Sequence, residues 1–332
     1  MTKRLLLTGG AGFVGCHTIE HFLRKTDYEI VVMDRLTYAG NLNRLSEMEC
    51  WEEEKGRVKF IYHDFRATLE CSLIKMIGDI DFIIHMGAES HVDRSIVDPK
   101  IFAESNVIGT VNMLEYAKRI GVEKFVYIGT DEVYGAVSGD QLHKEGESHR
   151  PSNPYSASKA GAEDFCYSYW NTYGMPIIRT STMNMFGERQ SPEKFVPKTM
   201  LSIWEDEPVI LHCKRGKGNE IQDISSRCWL HARNHADALL FLLDKGIIGE
   251  QYNIVGEKRT VEEMAYLIAD FMNKPYQPEF VDFHSFRPGH DMHYGLDGTK
   301  MKELGWIAPM PLEKSLQHCV EWSLKNPKWF SI

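Results

Sequence analysis

A glycine-rich turn directly after an apolar run near the start of the chain limits the possible folds most strongly. Residues 5–8 read Leu-Leu-Leu-Thr, the composition of a buried strand, and glycines follow at intervals of three. Gly9 can form the tight turn, Gly12 lets the backbone approach a pyrophosphate, and Gly15 lets a helix pack closely on the strand. The helix N-terminus then supplies amide donors for an anion. The pattern predicts a strand–turn–helix unit that binds a dinucleotide.

An acidic residue follows the second apolar run, at the distance expected for a carboxylate that grips a ribose diol. Residues 30–33 read Ile-Val-Val-Met, and Asp34 comes next. A carboxylate in this place favours NAD over NADP, although a helix-capping Asp is an alternative. The neighbouring Arg35 keeps NADP open as a minority alternative. Asp64, after the third strand, could reach the adenine.

Apolar runs alternate with helical patterns through the first half of the chain. Further buried-strand patterns occupy residues 58–62, 81–85 and 124–128. The alternation predicts an α/β, Rossmann-type fold, which is a doubly wound parallel sheet with right-handed crossovers. Between residues 101 and 120 the apolar positions recur at helical spacing. We expect a helix there that either covers the sheet or forms a subunit interface.

The second half of the chain predicts a smaller C-terminal substrate-binding lobe. From about Met185 the alternation loosens, and prolines and a basic glycine-bearing loop follow. Residues 251–256 again have a buried-strand pattern, and Thr260 with Glu263 has the pattern of a capped helix start. We therefore expect the NAD-binding domain to comprise residues 1–184 with residues 227–256 returning to it. The lobe then comprises residues 185–226 and 257–332.

Composition excludes several classes of function. The 332 residues carry 47 acidic and 38 basic side chains, a formal net charge of -9, so we expect neither a nucleic-acid nor an anionic-membrane partner. No apolar run approaches membrane-spanning length. Seven cysteines are scattered without a CxxC motif, which suits reduced thiols in the cytoplasm. No His or Cys spacing predicts a metal site.

Two segments about twenty residues apart supply an unusual amount of acid–base chemistry. Thr130-Asp131-Glu132 follows the strand pattern at residues 124–128, so both carboxyl groups project from the carboxyl end of a strand, where open α/β sheets bind ligands. Tyr155 and Lys159 are spaced i, i+4 and share one helix face. The ammonium is expected to lower the pKa of the phenol, which creates a general base.

Each of these segments has a structural alternative when it is taken alone. A Tyr-x-x-x-Lys pattern occurs by chance in many helices, and Asp-Glu after a strand is often a solvated turn or a helix cap. The order along the chain argues against chance: a glycine turn, an acid after the second strand, the acidic pair and then the tyrosine–lysine pair. We therefore predict a catalytic site.

At this point the chain resembles the extended short-chain dehydrogenase/reductase superfamily, and within it the nucleotide-sugar 4,6-dehydratases, closest to those that act on dTDP-glucose. Nearly the whole length matches. The motifs that carry the resemblance are Thr8 to Gly15, Leu36 to Leu42, Ala88 to Ser95, Thr130 to Gly135, Pro154 to Lys159, Pro192 to Lys194 and Arg287 to Asp291. The acidic pair discriminates, because related 4-epimerases lack it and GDP-mannose dehydratases carry Ser in place of Asp131.

The resemblance implies a role for each catalytic side chain. Tyr155, with Thr130 and Lys159, takes the proton of the hexose 4-hydroxyl as hydride leaves carbon 4 for NAD. Glu132 removes the proton from carbon 5, and protonated Asp131 donates to the departing 6-hydroxyl. The hydride returns to carbon 6 and leaves a 4-keto-6-deoxy sugar nucleotide.

The resemblance also implies the binding residues and a homodimer. NAD stays bound between turnovers. The residues expected to hold it are Gly9, Gly12, Phe13, Val14, Gly15, Asp34, Asp64 and Lys159. Those expected at the substrate diphosphate are Asn184, Lys194, Arg227 and His290. Those expected to contact the sugar or fix its loop are Ser90, His91 and Arg94.

Departures from the family pattern concentrate on the nucleotide side of the substrate. Cys228 follows Arg227 where the family has an acid, His212 replaces an aromatic residue, and Met185-Phe186 replaces an Asn-Tyr pair. The segment between Pro208 and Arg227 is longer than usual by about eight residues. The identity of the nucleotide base in the substrate is therefore open. UDP-glucose or an N-acetylated relative is an alternative to dTDP-glucose.

Two other functions are compatible with the same motifs. A UDP-sugar 4-epimerase or decarboxylase would also oxidise carbon 4 transiently. A catalytically silent dinucleotide-binding regulator would keep the fold without turnover.

Overall fold

Parallel strands form the central sheet of the protein. The computed structural model describes residues 2–137, 141–282 and 292–331 of the chain. The strands are β1 (Arg4–Thr8), β2 (Glu29–Asp34), β3 (Val58–Tyr62), β4 (Phe82–His85), β5 (Lys124–Ile128), β6 (Ile177–Thr182), β7 (Met185–Phe186), β8 (Val209–Arg215), β9 (Ile221–Ile224), β10 (Ser226–His231), β11 (Gln251–Ile254), β12 (Glu257–Thr260) and β13 (Pro278–Asp282).

Helices cover both faces of this sheet and also lie outside it. They are α1 (Phe13–Lys25), α2 (Asn43–Ser46), α3 (Trp51–Glu54), α4 (Cys71–Ile77), α5 (Val92–Val97), α6 (Pro99–Phe102), α7 (Gly109–Ile120), α8 (Pro154–Tyr173), α9 (Phe195–Trp204), α10 (Ala232–Lys245), α11 (Val261–Met272), α12 (Thr299–Leu304) and α13 (Leu312–Lys325). None of the helices in these ranges combines the length and the apolar character needed to cross a bilayer.

The central sheet has the order β11-β6-β5-β4-β1-β2-β3, and its neighbouring strands are parallel. The predicted Rossmann-type fold is confirmed. The chain builds outward from β1 in one direction with β2 and β3, and in the other with β4, β5 and β6. Loops on the two sides of this reversal separate and leave a crevice at the carboxyl ends of β1 and β4. Apolar side chains on both sheet faces form the two main cores.

The helix expected between residues 101 and 120 is interrupted. Residues Ala103–Ile108 form a π-helix between α6 and α7. The wider turn coincides with two polar side chains that have partners outside the helix. Ser105 Oγ accepts from Arg35, 3.2 Å away, and Asn106 Nδ2 donates to Ser158 Oγ at 2.8 Å. Apolar periodicity cannot reveal such a turn, because it depends on these long-range partners.

Two small sheets, β12-β10-β7 and β13-β8-β9, lie outside the central sheet. The segment between Pro208 and Arg227 forms the β8–β9 hairpin. The predicted strand at residues 251–256 is confirmed as β11, which pairs with β6. The capping box at Thr260 and Glu263 is also confirmed. The division of the chain into two lobes stays a prediction, because β10 joins a small sheet while β11 joins the central one.

Candidate active site

A cleft of about 360 Å³ lies at the carboxyl ends of the central strands. It brings together segments that are far apart in sequence, from the glycine turn to the N-terminus of α9. The predicted site residues that line it are Gly9, Gly12, Phe13, Val14, Gly15, Asp34, Ser90, Thr130, Asp131, Glu132, Tyr155, Lys159, Asn184 and Lys194.

The glycine turn leaves no room for side chains at two positions. Gly9 has a φ of +73°, and a Cβ there would lie 2.8 Å from Gly87 Cα. A Cβ on Gly15 would lie 2.3 Å from the carbonyl oxygen of Gly9. The predicted tight turn and close helix packing are thus seen in the structure. Helix α1 begins after Gly12 without a side-chain cap, so its first amides lie at the cleft.

Asp34 ends β2 at the cleft and connects two loops. Its carboxylate accepts from Ala11 N at 3.0 Å and from Leu36 N at 2.8 Å. Burial raises the pKa of Asp34 above its ordinary value, and the two amides oppose this shift. Because backbone amides hold it, the carboxylate is fixed at the position predicted for a ribose ligand.

Arg35 is held by acids of the protein itself. Its guanidinium donates to Asp64 Oδ2 at 3.2 Å and to Glu89 Oε1 at 2.7 Å. Although burial raises the pKa of Asp64, hydrogen bonds from Arg66 and Arg35 lower it to about 2. Asp64 is not among the residues that line the cleft. This arrangement ties the guanidinium in ion pairs, which disfavours its use for a 2′-phosphate.

The acidic pair begins a short 3₁₀ turn directly after β5. Thr130 caps this turn, and its hydroxyl donates to Asp131 Oδ1 at 3.2 Å while it accepts from Glu132 N at 3.4 Å. The tight turn sends the two neighbouring carboxyl groups into different surroundings. Asp131 is only 4% exposed, whereas Glu132 is half-buried.

Asp131 has the protonation expected of an acid. Desolvation and the charge of Glu132 raise the pKa of Asp131 to about 7, while Arg227 acts in the opposite direction. Within the described ranges, its buried Oδ2 atom has no hydrogen-bond partner. An unbonded, buried carboxyl oxygen favours the neutral form, which can donate a proton.

The raised pKa predicts that Asp131→Asn stabilises the protein in a pH-dependent way. An unfolded Asp titrates near 3.9 and the folded one at about 7. Below about pH 4 both states are protonated and nothing is lost. Between those values only the unfolded chain ionises, so stability falls as pH rises, and the loss is complete above pH 7. We expect a gain of about 2 to 4 kcal/mol for the variant at pH 8 and none at pH 4. Thermal unfolding followed by circular dichroism measures it, and an equal gain at both pH values would contradict the assignment.

Tyr155 and Lys159 lie in the first turns of α8, which begins with a capping box at Asn153 and with Pro154. The Lys159 ammonium donates to the carbonyl oxygen of Ile128 at 2.5 Å and lies 4.4 Å from the ring centroid of Tyr127. Burial lowers the pKa of Lys159 to about 8.

The expectation that Lys159 lowers the pKa of Tyr155 is wrong for this structure. Desolvation raises the pKa of Tyr155 above its ordinary value, Glu132 acts in the same direction, and only a hydrogen bond with Thr130 opposes them. Burial of the phenol is the main cause, and the Lys159 ammonium donates to the carbonyl oxygen of Ile128 at the end of β5. A positive charge beside the phenol would lower its pKa.

Glu132 is joined to the start of α8. Asn153 Nδ2 donates to Glu132 Oε2 at 3.2 Å, while Asn153 Oδ1 accepts from Ser156 N at 2.9 Å. The base candidate after β5 and the helix that carries Tyr155 therefore share one amide side chain.

The predicted sugar-contact residues His91 and Arg94 lie beside the cleft and contact residues that line it. His91 Nε2 lies 3.7 Å from Glu193 Oε2, and the Arg94 guanidinium lies 3.4 Å from the ring centroid of Tyr38. Arg94 thus stacks on an aromatic ring and is not a simple surface ion pair.

Arg227 is not among the residues that line the cleft. It donates to the carbonyl oxygens of Ser226 and Met292, and its guanidinium lies 4.7 Å from the ring centroid of Tyr294. Its charge nevertheless lowers the pKa of Asp131. His290 lies outside the described residues.

Several cleft residues were not assigned a role from the sequence. They are Tyr38, Glu89, Gln190, Glu193, Phe195 and Trp229. Three of them lie inside family-like motifs, which was the available signal. The others are brought to the cleft by segments that are distant in sequence. Together, the fold and the site define a Rossmann-type α/β enzyme with a tyrosine–lysine pair and two adjacent carboxyl groups.

Comparison with known proteins identifies the family. Residues 6–319 match the GDP-mannose 4,6 dehydratase family. The chain is 36% identical to dTDP-glucose 4,6-dehydratase of Salmonella typhimurium, over 98% of this chain and 94% of that protein. The structure of DesIV, a dTDP-glucose 4,6-dehydratase from Streptomyces venezuelae with NAD and TYD bound, has a TM-score of 0.86 at 34% identity and covers 98% of both chains. UDP-glucose 4-epimerase of Thermus thermophilus, with NAD, has a TM-score of 0.83 at 27% identity and covers 96% of this chain and 98% of that one. The chain belongs to the nucleotide-sugar 4,6-dehydratase family.

Proposed function

We propose that the protein converts a nucleoside-diphosphate hexose to its 4-keto-6-deoxy form by 4,6-dehydration. One observation carries this proposal: two adjacent carboxyl groups in unequal surroundings lie with Tyr155 in one cleft. Asp131 is buried and has a pKa of about 7, which suits an acid, whereas the more accessible Glu132 suits a base. Elimination of water across carbons 5 and 6 needs such a pair.

The residues at the cleft fit NAD. The glycine turn, with side chains excluded at Gly9 and Gly15, and the uncapped start of α1 would hold the pyrophosphate. Asp34 would hold the ribose diol, and Phe13 and Val14 line the same part of the cleft. NAD supplies the acceptor for hydride at carbon 4 and the donor at carbon 6, and its oxidised ring carries a positive charge.

Tyr155 acts on the 4-hydroxyl. Its phenol, hydrogen-bonded to Thr130, takes the hydroxyl proton, and Lys159 near the end of β5 adds positive charge to the site. General bases of this kind operate best when their pKa lies near the working pH. Because the protein raises the pKa of Tyr155, we infer that the phenol becomes a base only with additional positive charge beside it.

Elimination uses the acidic pair. The ketone at carbon 4 acidifies the proton on carbon 5, which Glu132 removes. Asp131 gives its proton to the departing 6-hydroxyl, and the unbonded Oδ2 is the atom available for this. Glu132 then returns a proton to carbon 5. For the substrate, we assign Ser90, Asn184 and Lys194 from the cleft wall. We assign His91, Arg94 and Arg227 from the surroundings of the cleft, and His290 from the family resemblance alone.

The epimerase alternative has one specific observation in its favour, the similar fold of UDP-glucose 4-epimerase. An epimerase returns hydride to carbon 4 and has no use for an acid at carbon 6. A buried carboxyl group whose pKa is raised to about 7, in the same cleft as the tyrosine, therefore favours dehydration.

A panel of dTDP-, UDP-, CDP- and GDP-hexoses tests the function. We expect at least one product lighter than its substrate by the mass of one water, with the carbonyl at carbon 4 seen by NMR. A product of unchanged mass and inverted carbon 4 would establish an epimerase, and loss of carbon dioxide from a uronate a decarboxylase. Binding of NAD without any turnover would support the regulatory alternative. The panel also identifies which nucleotide base the enzyme prefers in its substrate.

We further propose a homodimer and a cytoplasmic location. Exposed apolar side chains on α5, the π-helix and α8 support the first: Ile96 (44%), Val97 (86%), Ile108 (52%) and Phe165 (41%). The absence of paired cysteines among all seven supports the second. Light scattering of the purified protein measures the mass, and a monomer that persists at high concentration would overturn the dimer.

A further inference from the structure

We propose that Asn153 is a positioning residue that makes Glu132, rather than Asp131, the base of the elimination, acting from the cap of the helix that carries Tyr155. This inference rests on the proposed function. Asn153 does not contact the reacting atoms in the scheme above, so its role is exerted through Glu132.

The hydrogen bonds of Asn153 determine which way its amide points. The side chain is 6% exposed, and one end meets the backbone N–H of Ser156 at 2.9 Å. Only an oxygen can accept from that N–H, so the amide oxygen must lie there. The NH₂ group therefore faces Glu132 Oε2, 3.2 Å away, and donates to it. The helix cap and the contact with Glu132 are two ends of one oriented group.

This orientation gives the two carboxyl groups unequal electrostatics. A donor to Glu132 favours its ionised form. Asp131 lies next to it in the chain, and its buried Oδ2 lacks a hydrogen-bond partner in the described part of the chain. When two adjacent carboxyl groups share one proton, the better solvated and hydrogen-bonded one loses it first. Asn153 thus directs the proton to Asp131, which the elimination needs as the acid.

Asn153 also joins the two bases of the reaction mechanically. Glu132 follows β5, whereas Tyr155 is two residues beyond the cap of α8. The bond from Ser156 N to Asn153 Oδ1, 2.9 Å long, fixes the amide on the helix. One side chain consequently fixes the position of Glu132, which acts at carbon 5, relative to the helix that carries Tyr155, which acts at carbon 4.

Two variants and a matched control test the inference. Asn153→Asp keeps the shape and a good helix cap but replaces the donor with a negative charge beside Glu132. Asn153→Ser keeps a cap but withdraws the donor. Ser156→Ala removes the side-chain half of the capping box and leaves the contact between Asn153 and Glu132 in place. A general weakening of the helix should therefore affect the control as much as the test variants.

The readout separates the two chemical steps. With a substrate found by the hexose panel, single-turnover absorbance follows oxidation at carbon 4, and deuterium uptake from solvent follows proton exchange at carbon 5. We expect Asn153→Asp to slow exchange and water loss by about tenfold or more, with oxidation within about threefold of wild type. Asn153→Ser should show a smaller slowing, and Ser156→Ala neither effect.

Equal slowing of both steps, or an unchanged exchange rate in Asn153→Asp and Asn153→Ser, would overturn the inference. If Asn153→Asp does not fold, as judged by circular dichroism, Asn153→Ser decides with the same measurements. Failure of the proposed function is separately visible, since wild-type protein would then release no water from any hexose of the panel.

Discussion

Tyr155→Phe is expected to abolish oxidation at carbon 4, with a loss of about 10³- to 10⁴-fold in turnover. The substitution removes only the hydroxyl group. The ring keeps its edge contact with Phe102, whose centroid lies 6.3 Å away, and the cap of α8 is untouched. The fold and substrate affinity should therefore persist. The variant lacks the hydroxyl group that is assigned to take the proton of the 4-hydroxyl.

Absorbance of the reduced cofactor measures this outcome directly. Wild-type protein should show a transient signal after mixing with substrate, and Tyr155→Phe should show none. Tyr134→Phe is the matched control, because Tyr134 is another buried phenol, 1% exposed, whose hydroxyl accepts from Gln251 at 2.8 Å. It should turn over within about tenfold of wild type, since it loses only the neutral hydrogen bonds with Gln251 and Ser181. Rapid turnover by Tyr155→Phe would show that another group takes the proton.

Glu132→Gln and Asp131→Asn should separate oxidation from elimination. Each carboxamide keeps the size of the carboxyl group but cannot exchange a proton, so each should slow water loss by about 10²- to 10⁴-fold. Oxidation should continue in both, because Tyr155 and Lys159 are intact. Reduced cofactor should therefore accumulate instead of passing through a transient.

Proton exchange at carbon 5 distinguishes the two roles. It should fail mainly in Glu132→Gln, which lacks the base, and persist in Asp131→Asn, which lacks only the acid for the 6-hydroxyl. Mass spectrometry of recovered substrate in deuterated solvent measures it. Normal turnover by both variants would refute the assignment. Loss of proton exchange mainly in Asp131→Asn would show that Asp131 is the base and Glu132 the acid. Asp131→Asn should meanwhile gain stability at pH 8, so one variant links a stability gain with a loss of function.

Stretches of local sequence were sufficient to predict most of the fold. Residues 124–128 coincide with β5, because a strand buried on both faces is largely apolar. Residues 58–62 coincide with β3, an edge strand in which Lys59 and Tyr62 are exposed. Gly9 and Gly15 were predictable because only glycine fits their contacts. The π-helix at Ala103–Ile108 was not predictable, since its apolar spacing resembles that of an ordinary helix.

The candidate site divides in the same way. The i, i+4 spacing of Tyr155 and Lys159, and the position of Asp131 and Glu132 after a strand, are local features that follow the backbone. The direction of the Lys159 ammonium toward Ile128 is not local. Nor is the burial of the Tyr155 phenol, which raises its pKa against the expectation. The assignment of Asp64 to adenine likewise did not anticipate its ion pairs with Arg35 and Arg66.

The sequence by itself determined the order of strands and helices, the glycine turn and the identity of the acid–base groups, because these depend on periodicity and on residue type. Only the tertiary structure decided which of the two carboxyl groups is buried, which cations are already paired, and that Asn153 reaches Glu132. These properties depend on desolvation and on distances of a few ångströms between segments remote in the chain. A one-dimensional pattern carries no measure of either.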